Sequence, residues 1–89
     1  MASPDPSLPE GWTLARVAEV AVAEDAVLLP LDTPVLLDGA PVRPSLIIMV
    51  GGRYVVRDGE YLVGEMDGSG VISCWASYGD DLADVLRGL

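Results

Sequence analysis

Lysine, histidine, phenylalanine, asparagine and glutamine are all absent from this 89-residue chain, and cysteine occurs once. Without histidine there is no imidazole metal site, no Ser-His-Asp triad and no Cys-His pair. Without lysine the whole basic complement is five arginines, against fourteen acids. That balance cannot neutralise enough phosphates to hold nucleic acid against salt. The lone Cys74 cannot form an internal disulfide, and the N-terminus lacks the basic-then-apolar pattern of a secretory signal, so the expected compartment is cytoplasmic. The longest apolar run, Leu46 to Val50, is far short of the roughly 20 residues that span a bilayer, so no membrane association is expected.

What is present is apolar and acidic. Hydrophobic residues make up 51% of the chain and charged residues 21%, with a net charge of −9. A disordered acidic tail needs low hydrophobicity beside its charge, so this chain should fold. Residues 1–11 hold three of the seven prolines and little to bury, which predicts a flexible N-terminal arm before a single domain over 12–89.

Leu14, Val17, Ala18 and Ala21 recur at helical spacing behind a Thr13 cap, predicting a helix over 14–22 with Trp12 stapled onto Val17. Two short apolar runs, 26–30 and 34–37, carry prolines that deny them central places in a sheet and are expected as edge strands. From 45 to 76, three turn signals divide four β-like runs: Gly51-Gly52, Asp58-Gly59 and Asp67-Gly68-Ser69-Gly70. A four-stranded antiparallel meander follows. Leu82, Val85, Leu86 and Leu89 then fall at helical spacing behind Ser77 or Asp80 as a cap. The fold class is α+β, with an N-terminal and a C-terminal helix flanking the meander.

Reading Gly51-Gly52 and Asp58-Gly59 as two-residue loops sets a register. It pairs Val50 with Arg53, Ile48 with Val55, Arg57 with Glu60 and Val55 with Leu62. A four-residue last turn places Leu62 opposite Trp75. The expected core face is then Ile47, Met49, Tyr54, Val56, Tyr61, Val63, Ile72, Cys74 and Ala76, with Glu65 either reaching water at the sheet's end or buried against an arginine such as Arg16. The other face carries Ile48, Val55, Leu62 and Trp75, bordered by Arg53 and Arg57. This row is either covered by the first helix or by the 29–44 segment, or it is a protein-binding surface, since Trp and Arg dominate binding hot spots.

No catalytic, metal or cofactor-binding residue is assigned, and the chain is not expected to be an enzyme. The acids sit at turns and helix starts, where solvated roles are the rule. Asp67 to Gly70 lacks the spaced ligands and closing Glu of a calcium loop. Cys74, on the core face, reads as an inert thiol. The functional expectation is a non-catalytic acidic binding module that captures a basic partner, as an immunity or antitoxin protein captures a toxin. The closing strand, Ile72-Ser73-Cys74-Trp75, leads into an aspartate-rich helix and in this resembles small bacterial immunity proteins, over that stretch alone. The other expectation is a self-associating assembly subunit; a homodimer is compatible with both.

Overall fold

The computed structural model describes residues 8, 9 and 11–89; the rest of the arm expected over 1–11 lies outside them. The class is α+β: one sheet and two helices. The sheet has seven strands and is mixed, which corrects the four-stranded meander. In chain order they are β1 Ala26–Leu28, β2 Val35–Leu37, β3 Ala40–Pro41, β4 Leu46–Val50, β5 Arg53–Asp58, β6 Glu60–Met66 and β7 Ile72–Ser77. Their spatial order is β1-β4-β5-β6-β7-β2-β3.

The strands β4 to β7 pair consecutively and antiparallel at the middle of this sheet. The 26–30 run supplies an edge, but only over 26–28. The 34–37 run does not: β2 lies inside the sheet, parallel to β7, with Val35 opposite Ile72 and Leu37 opposite Cys74. Asp38 (φ 53) and Gly39 (φ 81) turn the chain back so that β3 becomes the outer strand, where Pro41 has no further neighbour to deprive of a hydrogen bond.

Helix α1, Leu14–Val20, starts where Thr13 Oγ1 accepts the Arg16 N–H at 3.1 Å and stops two residues earlier than expected. Its end is closed by two backbone bonds, Val22 N–H to the Glu19 carbonyl (3.2 Å) and Ala23 N–H to the Ala18 carbonyl (2.8 Å). That closure puts Val22 in the left-handed region (φ 55), a position glycine usually takes. Helix α2, Leu82–Arg87, is capped by Asp81, whose Oδ1 accepts the Ala83 N–H at 3.0 Å, and not by Asp80 or Ser77.

The register agrees with the sequence reading in one hairpin and departs from it in two. Gly51-Gly52 pairs Val50 with Arg53 and Ile48 with Val55. At the next turn Asp58 lies opposite Glu60, with Gly59 (φ 77) at the apex, so Val55 meets Val63 and Val56 meets Leu62. The odd loop shifts β6 by one residue and exchanges its faces. Between β6 and β7 the pairing changes at Val63/Gly64: Val63 opposes Ala76 while Gly64 opposes Cys74, which leaves Trp75 as an extra residue in a bulge. Gly64 is what permits it. A Cβ there would collide with the Ser73 carbonyl oxygen and lie 2.9 Å from Cys74 Cα.

Both faces of the sheet are consequently buried. One packs Leu46, Ile48, Val50, Val55, Tyr61 and Val63 against Val17 of α1 and Leu82, Val85 and Leu86 of α2. The other gathers Ile47, Val56, Leu62, Ile72 and Cys74 with Val35 of β2, and Leu29, Leu37 and Val42 pack against it. The face expected to carry the stripe is therefore the one that holds the helices, and the segment after β1 covers its opposite.

Candidate functional site

Six residues define the expected binding row, and the fold separates them. Ile48 and Val55 are fully buried beneath the helices, and Leu62 is buried in the opposite cluster. No partner can touch these three in the folded chain. Arg57 is half-buried at the other end of β5, its guanidinium 5.4 Å from the Tyr61 ring centroid. Only Arg53 and Trp75 come together at the surface.

Their corner is built by the bulge. Trp75 is 52% exposed, and the Arg53 guanidinium lies 5.6 Å from its ring centroid, within cation–π range. Arg53 also reaches Glu65 on β6, Nη1 to Oε1 at 3.7 Å, with both side chains largely in water. Glu65 thus reaches solvent, one of its two expected environments. Met66 is 36% exposed beside them, and a shallow cleft of ≈ 260 Å³ is lined by Glu65, Met66, Asp67, Ser73 and Trp75. This is an aromatic and thioether floor with carboxylates at its rim.

Asp67 is held in place by its own turn. Its Oδ1 accepts from Ser69 N–H (2.8 Å), Ser69 O–H (2.6 Å) and Val71 N–H (3.2 Å). These bonds, the Ser69 side chain first, hold the carboxyl below its usual range. The three acceptances come from within one tight turn, and among the described residues no group of His, Cys, Asp and Glu could hold a metal ion.

A second groove, ≈ 370 Å³, lies between Trp12, Arg57, Tyr61, Asp80 and Asp81 at the start of α2. The chain beyond β7 reaches it because Tyr61 N–H donates to the Gly79 carbonyl and Tyr78 N–H to the Tyr61 carbonyl (2.8 Å). Burial raises the Tyr61 phenol above its ordinary value, with Arg57 opposing. Arginines already face both aromatic rings there, Arg16 at 4.7 Å from Trp12 and Arg57 over Tyr61.

Cys74 is buried under the opposite face, and burial pushes its thiol up to about 11. A thiol so protonated at neutral pH is a poor nucleophile.

The acids distribute differently from everything above. Twelve of the fourteen lie among the described residues, and all twelve are exposed. Among the described residues only Glu65 and Asp84 pair with an arginine.

The bulge and its exposed tryptophan had a signal in the sequence: an isolated glycine, Gly64, inside the strand-like run EYLVGEM marks a bulge or a close backbone approach. No helix among the described residues is long and apolar enough to cross a membrane. No family model matches the chain, and comparison with curated proteins and with solved structures finds no match either.

Proposed function

We propose that this chain is a non-catalytic acidic binding module that captures a basic protein, with Trp75 and Arg53 as the aromatic and hydrogen-bonding anchors of the contact. The observation that supports the reading is the surface charge: twelve exposed carboxylates, of which two are paired with an arginine among the described residues. Paired acids would indicate a surface balanced for the isolated fold. Unpaired acids leave a field that speeds encounter with a cationic partner and selects against acidic ones.

Trp75 supplies the second requirement, a large rigid side chain in the open. Aromatic anchors of this kind carry hot-spot energies of ~2 kcal/mol or more, about thirtyfold in affinity. An immunity or antitoxin role is the form this reading takes in a bacterial cell, where the captured protein is a toxin.

The test is retention from the native lysate on the immobilised chain. A basic protein should be retained, be released by rising salt, and be retained about thirtyfold more weakly by a Trp75→Ala variant that unfolds at the same denaturant midpoint. Recovery of the chain alone overturns the reading in favour of a self-associating assembly subunit.

A further inference from the structure

The sheet has two edges without a neighbour among the described residues, and one of them, β3, is only two residues long and carries Pro41. β1 is the other, joined to β4 on one side only. Leu29 N–H donates to the Ile47 carbonyl at 3.0 Å, and Val27 pairs with Met49 in the same phase. By the alternation of an antiparallel ladder, the N–H and C=O groups of Ala26 and Leu28 point away from β4. Beside this edge lies a groove of ≈ 360 Å³ between α1 and the start of β1. Leu14, Ala15, Ala18 and Ala23 give it an apolar floor, and Glu19, Glu24 and Asp25 edge it with charge. Val22 and Val27, 92% and 40% exposed, flank it in the chain.

We infer that the β1 edge and the groove under α1 form the docking site for an extended basic segment of the captured protein, which adds an eighth strand to the sheet. The inference rests on the capture reading above and adds a second contact to its Trp75 and Arg53 anchors. An added strand would exchange backbone hydrogen bonds with Ala26 and Leu28, and its inward side chains would enter the groove below the alanines of α1. Small residues there leave room for the incoming side chains, whereas a leucine-lined helix would close the space.

Charge selects the occupant. None of Glu19, Glu24 and Asp25 meets an arginine among the described residues, so lysines or arginines on the incoming strand find free carboxylates. A second copy is disfavoured by the same acids, since each copy brings a net charge of −9 to the junction. Acids beside an open edge are a known guard against self-pairing.

The experiment uses the full chain with an alternating Lys-Val peptide, an alternating Glu-Val peptide, and the Lys-Val peptide N-methylated at alternate residues. The Lys-Val peptide should bind, slow amide exchange at Ala26 and Leu28, and lose affinity steeply with salt. The Glu-Val peptide should not bind. N-methylation should weaken binding about tenfold or more through lost ladder bonds. Ala26→Pro, which removes an outward N–H and no bond to β4, should weaken it similarly.

Binding of the Lys-Val peptide with unchanged exchange at Ala26 and Leu28 overturns the edge site and leaves capture of a basic protein standing. Failure of the Lys-Val peptide to bind at low salt also overturns it, whatever the lysate retains. Protection of both amides in a chain that retains no basic protein from the lysate keeps the edge site and removes the capture reading.

Discussion

Two ends of one sheet face behave oppositely. Where α1 and α2 cross it, Ile48, Val55 and Tyr61 are sealed from water against Val17, Val85 and Leu86. A few residues along, Arg53 on β5 and Glu65 on β6, with Ser73 and Trp75 on the adjoining β7, stand in solvent. Both ends share β5 and β6, so strand propensity cannot explain the difference. Helix coverage does: α1 has seven residues and α2 has six. At 1.5 Å per residue each is on the order of 10 Å long, too short to roof the full strands. The uncovered end is where charge and the tryptophan are tolerated, and the bulge at Gly64 and Trp75 divides the two regimes.

The covered end can be broken at Leu86, which is 1% exposed and held between the helix and the sheet. Leu86→Ala should cost about 2–5 kcal/mol, the range for a leucine emptied from a tight core. Urea unfolding at neutral pH reads it directly, and a loss under 1 kcal/mol would show that α2 is not sealing this face.

The boundary itself breaks at Gly64. Gly64→Ala sets a methyl against the Ser73 carbonyl, which is backbone and cannot swing aside. The bulge must open or the strands must separate, at about 3 kcal/mol, the upper part of the overpacking range. Trp75 fluorescence should shift with it, because the ring's orientation depends on the bulge. A Gly64→Ala protein with unchanged stability would mean that β7 slides without cost.

How far the molecule could be read from its residues follows from the same two regimes. The Thr13 cap and apolar spacing located α1, apolar spacing without the correct cap located α2, and the glycine turns located four strands. What the residues left open was register. Runs such as LIIMV, YVV and YLV are apolar at every position because both faces of the sheet are covered, so the alternation that fixes register in a half-exposed sheet is missing. The turn dipeptides then had to decide it alone. A glycine pair closed as an even loop, whereas Asp58-Gly59 closed as an odd one, and that single residue moved Leu62 to the other face. The parallel placement of β2 beside β7 was illegible for a different reason: a three-residue strand has too few positions to announce its partner. Asp38-Gly39, by contrast, is a hairpin dipeptide that could have announced β3, and the expectation from sequence passes over it. Of the expected binding row, Arg53 and Trp75 keep company at the surface because their exposure depends on the ends of strands and not on the slipped middle.

The loop between α1 and β1 offers a gain of stability. Val22 holds φ 55 while 92% exposed, so its branched side chain is strained and buries almost nothing. Val22→Gly should relieve about 1 kcal/mol, partly offset by the greater freedom of glycine in the unfolded chain. The urea midpoint should rise with unchanged slope. A fall would show that Val22 makes a contact in the folded chain worth more than its strain.

The smallest effect lies at the open end, in the Asp67 turn beside Trp75. Its carboxyl is depressed below the usual value near 3.8 because the ionised form accepts bonds from Ser69 and Val71. A folded value below the unfolded one means the turn adds stability fully above the unfolded value and loses it as the pH falls through the folded one. Asp67→Ala should therefore lower the urea midpoint at neutral pH, with the gap to the parent chain narrowing only below pH ~4. No gap at neutral pH would assign the turn's stability to its backbone bonds, Asp67 N–H to the Val71 carbonyl and Gly70 N–H to the Asp67 carbonyl, which the substitution leaves in place. The core cluster at the covered end is apolar apart from the Tyr61 phenol, and Leu86→Ala, which removes no ionisable group, should cost the same at either pH.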